Sequence, residues 1–124
     1  MKTAAQYQHQ IAAIDLDAIK LDGISAQDAK EALARIESIH NELLEIERNL
    51  NLDLHALNAQ FQGRLAAELH GMANRRGRNR AEDEQRIRDE QAARLAPYEQ
   101  VKSRLNELLA RLQEMRTRLE SIQT

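Results

Sequence analysis

Apolar residues on either side of Gly77 and Arg78 can be matched in pairs whose numbers share one total: Leu33 with Ile122, Ile36 with Leu119, Leu43 with Leu112, Leu50 with Leu105, Leu54 with Val101 and Leu57 with Tyr98. Such mirror symmetry is what two antiparallel helices joined by a tight turn require, because each residue of one stripe must meet its counterpart counted back from the turn. The fold class expected is therefore all-α: a long antiparallel helical hairpin, a coiled coil, with a short N-terminal helix packed at its base. Composition agrees, since 31% of residues are charged, only 2% are aromatic, and there is a single Pro. That balance suits long helices rather than an α/β core.

One domain of 124 residues is expected, divided into a short amphipathic helix and turn (1–24), a long helix (25–76), a turn (77–79) and a second long helix (80–124) kinked near Pro97. In the first segment Tyr7, Ile11, Ile14, Ala18 and Leu21 alternate spacings of four and three. This predicts a helix from about Ala4 to Leu21. Asp15 and Asp17 begin like a calcium loop, but Ile19 and Lys20 stand where a ligand and the required Gly belong, so no calcium site is expected. The acidic polar face of this helix argues against a membrane surface.

Asp22-Gly23 marks the end of that helix, with glycine supplying a left-handed backbone. Ser25 is placed to cap the next helix from about Ala26, with Asp28 near its positive end. Between Leu33 and Leu57 the apolar positions are too many for one heptad seam, whereas from Asn58 to Met72 they narrow to Phe61, Leu65, Leu69 and Met72. The last helix repeats this contrast, with an unbroken three-four pattern from Tyr98 to Ile122 and sparse apolar residues before it. A three-helix base carrying a two-helix arm follows. Pro97 removes a backbone hydrogen bond near the level of Asn49, Asn51 and Asp53, all poor helix formers, so base and arm are expected to meet at a bend. His40 and Glu47 fall on the seam opposite Met115 and Leu108, as register-setting polar residues would.

The wide stripe leaves Ile39, Leu44, Ile46, Leu52 and Leu109 as a candidate oligomer interface, and a homodimer in four-helix-bundle form is the partner most expected. Another protein is a further possible partner. The turn is the other candidate site. Arg75, Arg76, Arg78 and Arg80 fall within eight residues that contain no acid, a cluster able to hold phosphates of a nucleic acid, or an acidic partner, by charge-assisted hydrogen bonds. Helix-end charge explains much of it without a ligand: Arg75 and Arg76 close one helix, while Asn79 with Glu82 can cap the next and Glu82, Asp83 and Glu84 complement its dipole. No aromatic residue is interleaved to stack a base, so contact would be to the backbone only.

No catalytic residue, cofactor or metal is expected. Glu37 and His40 have the spacing used in di-iron bundles, but a single such pair is not a centre, and His55 and His70 have no partner at three or four residues. There is no cysteine, glycine-rich phosphate loop or Ser-His-Asp order. With no apolar run of membrane-spanning length and no leader-like N-terminus, a cytoplasmic, non-enzymatic protein is expected.

Overall fold

A computed structural model describes residues 1–71 and 78–123. Among these residues the chain is all-helical, with no strands. Three helices, α1 (Ala4–Ala12), α2 (Ala26–Gly71) and α3 (Arg78–Gln123), are joined in order, with a short 3-10 turn at Leu16–Ala18 between the first two. The long central helix packs against the C-terminal one, and α1 lies against both.

The first helix starts where a capping box fixes it. The Thr3 hydroxyl accepts from Gln6 N–H at 3.2 Å, and the Gln6 side chain accepts from Thr3 N–H at 2.8 Å. It then stops at Ala12, well short of Leu21. The reason is Asp15, whose carboxylate accepts from Asp17 N–H at 3.1 Å while its own backbone is extended. A short acidic side chain that satisfies the backbone in this way competes with the helical ladder. The break lets Leu16 and Ile19 bury beside Tyr7 and Ile11, which one uninterrupted helix would place differently around its axis.

Gly23 adopts the expected left-handed conformation, φ +67°, but it turns an irregular stretch rather than capping a helix. Ser25 behaves as its position suggests, its hydroxyl accepting from Asp28 N–H at 3.1 Å where α2 begins. The other long helix departs from expectation at its start: α3 begins at Arg78, so Arg78 and Asn79 are helical and Asn79 is not the cap. It continues through Pro97 to Gln123. Ala93, whose carbonyl loses its donor there, is exposed, so water can take the donor's place.

One core holds most of the molecule together. Tyr7, Ile11, Leu16 and Ile19 of the N-terminal segment join Ile36, Ile39, Leu43, Ile46, Leu50 and Leu54 of α2 and Val101, Leu105, Leu108, Leu112, Met115 and Leu119 of α3. Leu57, Phe61 and Ile87 are buried too, but lie outside this cluster. The α2–α3 pair thus has a half covered by residues 1–24 and an uncovered half. His40 and Glu47 are only half-buried, and no polar residue is fully buried among the described residues. They sit at the edge of the seam, so register is left to the apolar side chains.

Candidate functional site

The side-chain cluster with the richest polar geometry lies where the covered half ends. Asp53, on α2, accepts from the Tyr7 hydroxyl and from Lys2 N–H, the latter at 3.2 Å. The Tyr98 hydroxyl of α3 donates to the Lys2 carbonyl at 2.9 Å. The two tyrosine rings meet edge to face with centroids 6.4 Å apart, and the Lys2 ammonium lies over the Tyr7 ring at 5.7 Å. Burial, followed by the hydrogen bond and negative charge of Asp53 and then by Tyr98, pushes the Tyr7 hydroxyl well above its ordinary titration range. A neutral phenol donating to a carboxylate is a structural tie. It explains why a poor helix former sits inside α2. Sequence patterning counted Tyr7 and Tyr98 only as apolar positions; the Thr3-x-x-Gln6 capping signature was the legible sign that the N-terminus is fixed in place.

Two exposed ion pairs continue this attachment along α3: Arg111 with Asp17, and Arg118 with Asp22 at 2.6 Å. Arginines seven residues apart share a helix face, which the irregular segment 13–24 follows.

The expected interface residues separate into different environments. Ile39 and Ile46 are 9% and 5% exposed, enclosed in the core with the N-terminal segment. Leu109 is half-buried against the same core. Leu44 and Leu52, in contrast, are 42% and 64% exposed. At about 100° per residue, Leu44 and Ile46 point to nearly opposite sides of α2, so one stripe cannot contain both.

Of the basic cluster, Arg75 and Arg76 lie outside the described residues, as does Gly77. Arg78 and Arg80 lie in the first turn of α3, which contains no acidic residue. The expected acids Glu82, Asp83 and Glu84 come one turn later. Two of them are engaged locally, Asp83 with Arg86 at 3.7 Å and Glu84 with Arg88 at 2.9 Å.

Among the described residues no group of three or more His, Cys, Asp or Glu could hold a metal, and Glu37 with His40 gathers no third ligand. A groove between α1 and α3 is lined by Gln8, Ile11, Gln100, Val101 and Arg104. Its one charged group, Arg104, is paired with Glu107 at 3.2 Å. No described helix is long and apolar enough to cross a membrane. No family model matches this chain, and neither does any curated protein or solved structure.

Proposed function

We propose that this chain is a non-catalytic interaction module, an antiparallel helical hairpin with a coiled-coil seam that self-associates through the side of α2 and α3 facing away from the N-terminal segment. The observation that carries this reading is the exposure of Leu44 and Leu52, 42% and 64%, in a chain whose other Leu, Ile and Val side chains are buried or half-buried wherever their burial is described. Half-buried Leu109 extends the contact. The side-chain contacts of Asn58 with Gln91 at 3.0 Å and Arg64 with Glu90 at 2.7 Å support the antiparallel arrangement. Placing Glu at both Leu44 and Leu52 should convert a dimer to a monomer by light scattering at tens of micromolar, with helicity unchanged. A parent chain that is already monomeric there would remove the proposal.

A second reading, a nucleic-acid-binding arm using Arg75, Arg76, Arg78 and Arg80, is favoured by the start of α3. Arg78 and Arg80 stand in the first turn of α3, which contains no acidic residue, and a helix start of this kind favours an anion such as phosphate. Binding of RNA or DNA should then weaken steeply with salt and vanish when all four become Gln. Binding that persists in that variant would place the contact elsewhere.

A further inference from the structure

Residues 1–22 are held to the rest of the molecule as a ligand is held to a site. Beyond the backbone bonds of α1 and the 3-10 turn, their internal hydrogen bonds are local caps, Thr3 with Gln6 and Asp15 with Asp17. The other hydrogen bonds that involve a side chain run outward: Tyr7 and Lys2 to Asp53, Lys2 to Tyr98, Asp17 to Arg111 and Asp22 to Arg118. The apolar side chains Tyr7, Ile11, Leu16 and Ile19 are buried in a core whose other walls are α2 and α3. The receiving groove therefore belongs to the two long helices, and residues 1–22 form a strap across it.

What seats the strap on its own groove is the reversal at Asp22-Gly23-Ile24-Ser25. Gly23 is the one residue with positive φ among those described. A Cβ added there would meet nothing within 4 Å, so glycine is needed for its backbone and not for lack of room. Beyond it Ser25 immediately starts α2, which confines any change of chain direction to these few residues.

We propose that the strap is exchangeable: in a dimer of this chain, residues 1–22 of each copy dock on α2 and α3 of the other, with Gly23 as the hinge. An exchanged strap makes the contacts it makes at home, so closed and exchanged forms differ only in the hinge conformation and in the entropy of association. The closed form benefits from the high effective concentration of its own strap. Opening the hinge lets residue 23 adopt extended backbone, which any residue accommodates.

Gly23→Val tests this, because valine resists positive φ while its Cβ would meet nothing within 4 Å. A left-handed β-branched residue disfavours each closed hinge about tenfold, and an exchanged dimer relieves two, so the association constant should rise about a hundredfold. Gly23→Asn, which tolerates positive φ, should behave like the parent. The chain has no cysteine, so single labels can be added at exposed Ala12 on one copy and exposed Lys102 on another. When the two copies of the Gly23→Val chain are refolded together, pulsed dipolar spectroscopy should find a short distance between chains. A monomeric Gly23→Val chain overturns the proposal. So does a dimer without that distance. Glu at Leu44 and Leu52 should leave the exchanged dimer intact, which separates it from association through the opposite side.

Discussion

Along the same two helices, the covered and uncovered halves solve different problems. In the covered half α2 and α3 share a core with the N-terminal segment, and Leu43, Leu50 and Leu105 are wholly inaccessible. In the uncovered half two helices face each other alone. Leu57, Phe61 and Ile87 are buried there, Leu65 only half so, and the chain adds polar ties across the pair, Asn58 to Gln91 and Arg64 to Glu90. Two helices alone enclose only a narrow stripe, Leu57 and Ile87 at 1% exposed, whereas a third layer lets a wider one leave water. The width of the apolar stripe records which situation each stretch meets.

The largest expected contrast is in core deletions. Leu105→Ala should cost about 3–5 kcal/mol in urea unfolding, as expected for a fully enclosed leucine. Phe61→Ala removes more atoms yet should cost no more than that, because water and neighbouring side chains can enter a two-layer site. A clearly larger loss for Phe61→Ala would break the distinction.

Next comes the tie at the boundary. Tyr7→Phe keeps the ring but removes a hydrogen bond to a carboxylate, and should cost about 1–3 kcal/mol. The same hydroxyl sets a pH dependence. Its pKa is raised in the fold, so its contribution is fully present below the unfolded value of about 10 and is lost as pH rises from there toward the folded value. Parent stability should therefore fall above that pH by more than that of Tyr7→Phe. Identical slopes would show that the hydroxyl is not held as described.

Smaller effects belong to the uncovered half. Gly63 lies inside α2 with open space where a Cβ would be, so Gly63→Ala should stabilise by about 0.5–1 kcal/mol through helix propensity. No change in global unfolding, together with slower local amide exchange, would show that this half opens independently and would sharpen the comparison. Smallest of all, Arg64→Ala should shift stability by no more than about 0.5 kcal/mol, since Arg64 and Glu90 are both nearly half exposed.

Much of this was readable from residue order. The start of α2 at Ser25 and the left-handed Gly23 follow from local side-chain and backbone chemistry, which needs no distant partner. The matched positions from Leu33 to Ile122 are buried or half-buried because apolar periodicity reports which face leaves water. Less readable was the N-terminal segment, where the same periodicity suggested helix as far as Leu21 and Asp15 interrupted it. The candidate interface mixed Ile39 and Ile46 with Leu44, since a list of surplus apolar residues does not say on which side of a helix a third element will lie.

The sequence by itself determined that two long helices would form and which stripes they would bury, because periodicity and capping act within a few residues. Only the tertiary structure decided that the first 24 residues spend half of the surplus stripe, that Asp53 serves Tyr7 and Lys2, and that Leu44 and Leu52 stay in water. Those outcomes depend on groups as far apart as Lys2 and Tyr98 meeting in space, and no local pattern encodes such a meeting.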